Sequence, residues 1–126
     1  MEFNENKPIY LQLADQLMDL TESSDYYPES RIPSVREFAA QVGVNPNTVM
    51  RTYTWLQEKG IIYNRRGVGY FFSADAKEII QRRRVNEFFD KDLPEFVKKM
   101  VKLQISVVHF DNLFKRYHQL FQNGKL

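Results

Sequence analysis

Apolar positions at helical spacing open the chain. Behind Pro8, the residues Ile9, Leu13, Leu17 and Leu20 recur on one stripe while Asp15 and Asp19 fall off it, which predicts a first helix. Thr21–Pro28, rich in Ser, Asp and Tyr, breaks the periodicity and reads as a loop. Ser34, with Glu37 three residues on, then precedes Val35, Phe38, Ala39 and Val42. That is a capping-box start to a short second helix, which Gly43 ends by taking a left-handed turn. Asn45 and Pro46 are an N-cap and a first-turn proline for a third helix that runs to about Lys59 and stops at Gly60. Val49, Tyr53 and Leu56 form its buried stripe. Asn47, Thr48 and Arg51 share another face, being i+3 and i+4 neighbours. Tyr53 belongs to the core, with its hydroxyl placed to reach a phosphate at the edge.

Two β-type runs follow, Ile61–Tyr63 and Tyr70–Phe72, around the basic, glycine-containing tip Asn64–Gly69; they predict a hairpin. From Ala74 the pattern is helical again. Asp75–Arg84 is strongly charged, Glu87–Leu103 carries an aromatic stripe with a kink or fresh start at Leu93-Pro94, and Ser106 precedes a last helix. On that helix Phe110, Leu113, Phe114, Tyr117 and Phe121 form a continuous apolar stripe. The expected fold is mainly α with a small β-hairpin: a winged helix-turn-helix over residues 1–73 and a helical tail over residues 74–126.

Charge sharpens this picture where the overall net of +2 does not. Residues 1–30 hold Lys7 against seven acids (Glu2, Glu5, Asp15, Asp19, Glu22, Asp25, Glu29), a net of −6. Residues 31–66 hold six bases (Arg31, Arg36, Arg51, Lys59, Arg65, Arg66) against Glu37 and Glu58, a net of +4. Positive charge is therefore concentrated on the helix-turn-helix and hairpin, where a polyanion would be met. A helix fits the major groove, and polar groups near its N-terminus reach base edges, which is the position of Asn47 and Thr48 with Arg51 a turn further on. Arg36 in the first turn of the second helix suits a phosphate. Arg65 and Arg66 at the hairpin tip suit phosphates or the minor groove, with Gly67 and Gly69 allowing close backbone approach. Together with the caps Ser34 and Asn45, these are the candidate DNA-binding residues.

Each has a plainer reading. Asn47, Thr48 and Arg51 alone would be an ordinary solvated face, Arg36 a partner for a nearby carboxylate, and Arg65 and Arg66 a solvated turn. The order in which they occur favours the nucleic-acid reading. The run Arg31–Ala39, then Gly43–Val49, then Arg51–Leu56, closing with Gly60-Ile61-Ile62 and Arg65–Phe71, closely resembles the signature of the GntR family of transcriptional regulators. Pro8–Leu13 is similar to that family's opening. The short tail resembles the YtrA-like subfamily, with Leu103–Ser106 matching the joint between its helices. The resemblance implies a sequence-specific regulator, a repressor of neighbouring transporter genes, whose tail serves in dimerisation; a cytoplasmic location is expected from the lack of a signal-peptide start and of a membrane-spanning run. The chain departs from the family pattern in four places. Glu29 or Ser30 stands where a glycine is usual, Ile32 replaces a leucine, Trp55 a polar residue and Pro46 an arginine.

Six phenylalanines in a thin tail predict an apolar patch that a second copy covers. Phe88, Phe89, Phe96, Met100, Phe110, Leu113, Phe114, Tyr117 and Phe121 are the candidate dimerisation residues. The expected partners are an operator in double-stranded DNA, palindromic as a homodimer requires, and a second copy of the chain. A small-molecule effector is left open. A protein-interaction module on the same scaffold, or a ligand-gated sensor with a site between the tail helices, are the competing readings. Gln81–Arg84 reads as a solvated face rather than a second DNA contact.

The sequence points away from other classes. It has no cysteine, which removes disulfide scaffolds, thiolate zinc sites and cysteine nucleophiles. His109 and His118, nine residues apart, point to opposite sides of one helix and read as structural. No phosphate-binding Gly-Lys loop or paired nucleophile and base suggests catalysis, and no cofactor is implied. The start Met1–Glu5 does not read as a signal peptide, and no apolar run is long enough for a membrane span.

Overall fold

The computed structural model of the protein describes Phe3 and residues 6–125. Glu2 and Glu5 of the acidic N-terminal stretch, with Met1 and Asn4, lie outside the described residues. The order of elements is α1 (Ile9–Asp19), α2 (Val35–Val42), α3 (Pro46–Glu58), β1 (Ile62–Arg65), β2 (Gly69–Phe72), α4 (Ala76–Glu87), α5 (Leu93–Lys102) and α6 (Val107–Gln122). A 3₁₀ turn, Leu20–Glu22, extends α1, and a π-helical turn, Phe88–Asp92, joins α4 to α5.

The Pro8 carbonyl accepts the first amides of α1, from Leu11 and Gln12. An ion pair between Lys7 and Asp15 runs along the outside of the helix. The buried face of α1 is Leu13, Ala14, Leu17 and Met18, whereas Ile9 and Leu20 of the expected stripe are 43% and 42% exposed. Each residue turns the helix by about 100°. Adding Ala14 and Met18 therefore rotates the centre of the face away from the Ile9 and Leu20 side. The capping box of α2 forms as expected, Ser34 Oγ accepting from the Glu37 amide at 3.1 Å and Glu37 Oε1 accepting from the Ser34 amide at 3.2 Å. Gly43 ends α2 at φ 67°.

Asn45 Oδ1 accepts from the Asn47 amide at 2.8 Å to start α3, and Val49, Thr52, Tyr53 and Leu56 are its buried face. Two long-range hydrogen bonds then lock α3 in place. The Thr52 hydroxyl donates to the Tyr10 carbonyl of α1 at 2.7 Å, and the Tyr53 hydroxyl donates to the Pro33 carbonyl at 2.6 Å. The Tyr53 hydroxyl is thus turned inward to a backbone acceptor and not to the edge expected from the sequence. Burial pushes its phenol well above the ordinary tyrosine range.

The hairpin is antiparallel, with Ile62 opposite Phe72 and Arg65 opposite Gly69. Ser30–Ile32 lies along its outer edge, bridging at Arg31 and Phe71. The Ile32 amide donates to the Tyr70 carbonyl and the Phe72 amide to the Ser30 carbonyl. Glu29, just before this edge segment, has φ 64°. The left-handed residue implied by the family's glycine is therefore Glu29, while Ser30 is buried.

The chain divides into two compact units, Met1–Arg83 and Arg84–Leu126. This break comes ten residues after the boundary expected at residue 73. The start of α4 belongs to the first unit because Ala76 and Ile80 are buried in its core, in one cluster with Ile61, Ile62 and Phe72. In the second unit α5 and α6 are joined through Gln104, at φ 57°, and Ser106 caps α6 by accepting from the His109 amide. Phe96 of α5 meets Phe110 of α6 edge to face at 5.3 Å, and Phe110, Phe114 and His118 continue the contact along α6. No residue of α5 or α6 is buried.

Candidate nucleic-acid interface

The first unit presents three basic or polar elements at its surface. On α3, Val49, Tyr53 and Leu56 are wholly inaccessible, and the opposite face is free of core contacts. Asn47 and Arg51 lie on that outer face and are exposed, with Thr48 half-buried at its flank. Met50, 43% exposed, and Thr54, also exposed, share the face at helical spacing. These two were not singled out by residue chemistry, although the same periodicity that placed Asn47 and Arg51 includes them.

Arg36 is exposed in the first turn of α2. The N-terminus it flanks is already partly served by Glu37, whose carboxylate is held below its usual range by the Ser34 amide and then by the Ser34 hydroxyl. Ser34 and Asn45, both candidate contacts, use their side-chain oxygens as caps, which leaves the Asn45 amide nitrogen as a donor. Arg36, Ala39, Ala40, Gly43, Val44 and Pro46 line a shallow open hollow between α2 and α3.

At the wing, Arg65 and Arg66 are exposed, and the Arg65 guanidinium lies over the Phe71 ring at 5.6 Å. The two glycines differ. Gly67, at φ 76°, has nothing near its bare side, as close backbone approach requires. The bare side of Gly69, at φ 146°, is filled by Arg31, whose Nε lies 3.0 Å from where a Cβ would stand. Arg31 is thereby brought toward the tip end of the wing, where Gly69 pairs with Arg65. Sequence reasoning counted its charge but gave it no place, because the contact depends on the edge pairing of Ser30–Ile32.

Trp55, which departs from the family's polar residue, is half-buried, with the Arg83 guanidinium 5.0 Å from its ring and Lys59 Nζ at 5.8 Å. Arg83, from the Gln81–Arg84 run, therefore has an aromatic partner within its own unit. In the tail, Phe88, Phe89, Phe96, Phe114, Tyr117 and Phe121 are exposed, and Met100, Phe110 and Leu113 are half-buried. Among the described residues no group of His, Asp and Glu is arranged to hold a metal ion, and no helix is long and apolar enough to cross a membrane.

Three packed helices, the second and third linked by a glycine turn, and a basic two-stranded wing define a winged helix-turn-helix protein. Residues 9–72 match the family described as bacterial regulatory proteins, gntR family. The chain belongs to that family. It is 40% identical over 105 residues to the HTH-type transcriptional regulator YhcF of Bacillus subtilis, covering 83% of this chain and 85% of that one. It is 41% identical over 70 residues to the HTH-type transcriptional repressor YtrA of the same organism, covering 56% and 54%. Among solved structures, a GntR-family regulator from Bacteroides thetaiotaomicron superposes with TM-score 0.79 at 40% identity, covering 87% of this chain and 96% of that one. The DNA-binding domain of AraR in complex with its operator ORR3 superposes with TM-score 0.51 at 26% identity, covering 58% and 86%. The protein is a GntR-family transcriptional regulator with a DNA-binding fold, and its relatives include the YtrA type.

Proposed function

We propose that the protein is a repressor that binds a palindromic operator as a homodimer through its tail. The observation that carries the DNA-reading half is the outer face of α3. Asn47, Met50, Arg51 and Thr54 are held outward by a fully buried opposite face, with Arg36 and the Arg65–Arg66 wing as flanking cations. Asn47 and Thr48 read base edges, Met50 offers an apolar contact for a thymine methyl, and the arginines neutralise phosphates. AraR, whose DNA-binding domain shares the fold, is seen on its operator, and YtrA is a repressor; both support this reading.

The dimer half rests on the tail. A unit in which neither long helix buries a residue lacks the core that small folds need, and its aromatic stripe is an unmet interface. Pairing two copies covers it and sets two recognition helices about 34–36 Å apart, one turn of DNA.

The test is selection of randomised duplexes by the purified protein, with solution mass measured in parallel. A palindrome enriched by a dimer is expected, with affinity falling steeply as salt rises because phosphate contacts release counterions. A well-folded protein that enriches no sequence would instead be a protein-interaction module on the same scaffold.

A further inference from the structure

Arg51 does not stand alone on the outer face of α3. Its guanidinium carbon lies 3.9 Å from the centroid of the Tyr10 ring, on the first helix. The next residue, Thr52, donates its hydroxyl to the carbonyl of that same Tyr10 at 2.7 Å. One residue of α1 is thus engaged twice by consecutive residues of α3, through its backbone and through its ring. The hydroxyl-to-carbonyl bond lies in the α1–α3 contact, with the Thr52 side of it buried, and fixes where the ring stands. The ring, half-buried, then gives an exposed arginine a flat surface on which to rest.

An arginine on an α-helix normally samples many rotamers, and ordering it on DNA costs entropy. Contact with an aromatic face restrains the side chain through dispersion and the ring quadrupole. It uses the face of the guanidinium, so N–H donors directed away from the ring stay available to an acceptor oxygen. We propose that Tyr10 is the positioning residue for Arg51, holding the guanidinium pre-ordered on the outer face of α3 so that it meets DNA as a fixed donor. Tyr10 touches no DNA itself and acts through Arg51. The proposal rests on the operator-reading function above and adds a determinant outside the helix-turn-helix and the wing.

A double-mutant cycle on DNA binding tests it, using the full chain and the duplex enriched by selection, with a scrambled duplex as reference. Tyr10→Phe keeps a ring face and should bind within about two-fold of the wild type. Tyr10→Leu should lose roughly five-fold in affinity, and Arg51→Ala about ten-fold or more. In the Arg51→Ala background, Tyr10→Leu should cost nothing further, which general damage to α1 packing would not produce. Nitrogen-15 relaxation of the Arg51 Nε–H group in the free protein is the second readout. It should report order in the wild type and in Tyr10→Phe, and fast motion in Tyr10→Leu. Losses that multiply in the double variant, an Arg51 equally mobile with and without the ring, or an Arg51→Ala protein that binds as well as the wild type would each overturn the proposal. A wild-type protein that binds no duplex would overturn the operator-reading function itself, a result distinguishable from all of these.

Discussion

At Glu29 the backbone takes φ 64°, a conformation that costs a residue with a Cβ about 1–2 kcal/mol. The side chain makes an exposed hydrogen bond from the Tyr63 hydroxyl at 3.3 Å, too weak to offset that strain in full. Glu29→Gly should therefore raise stability by about 0.5–1 kcal/mol even after the added freedom of the unfolded chain. In a thermal melt this is a rise of a few degrees, and a lower melting temperature would show the Tyr63 contact to be the stronger effect. The family motif pointed to a missing glycine near this position, and only the dihedral separates Glu29 from Ser30. Tyr53 divides in the same way. Its place in the core follows from spacing with Val49 and Leu56, but its acceptor, the Pro33 carbonyl, lies 20 residues away and has no local signal.

Helix ends were the most legible elements, because caps are local chemistry. Ser34 with Glu37, Gly43, Asn45 with Pro46, and Ser106 all act within a turn of themselves. Ser34→Ala should lower stability by about 1 kcal/mol, measured by denaturant unfolding. It should also change the acid limb. The Glu37 pKa is depressed in the folded state, so the box contributes above the ordinary glutamate range and is lost as pH falls through the lowered value. The variant should show a shallower loss of stability in that window. An unchanged acid limb would mean that the amide of residue 34, which the variant keeps, holds the carboxylate without the hydroxyl. Elements that depend on distant partners were not legible. The edge segment Ser30–Ile32 pairs with Tyr70–Phe72, some 40 residues on, and it carries no alternation of its own. A kink or a fresh start was expected at Leu93-Pro94; the backbone stays helical through Asp92 and Leu93, and the π-helical turn ahead of the proline was not expected.

Over the whole molecule the two units differ in kind. Met1–Arg83 has a continuous core from Leu13 to Ile80, whereas in the long helices of Arg84–Leu126 no residue is fully buried. If the tail pairs two copies, a charge in the middle of its stripe should separate them. Phe114→Asp, at a side chain 55% exposed, should convert a dimer to a monomer by mass. It should also weaken operator binding by an order of magnitude or more through loss of the second half-site, about ten-fold at least. The melting of the first unit should stay close to that of the wild type. A variant that remains a dimer would move the interface off this stripe.

The sequence by itself determined the helices, their caps, the hairpin and the outward placing of Asn47 and Arg51 with Thr48 at their flank, because periodicity and capping are properties of neighbours along the chain. The family was legible for the same reason, its signature being an ordered run of such local features. Tertiary structure alone decided that Ala76 and Ile80 belong to the first unit, that Arg31 fills the bare side of Gly69, and that Arg51 rests on Tyr10. Each of those is a contact between residues far apart in sequence, whose partner is chosen by how the elements pack and not by any pattern either residue carries.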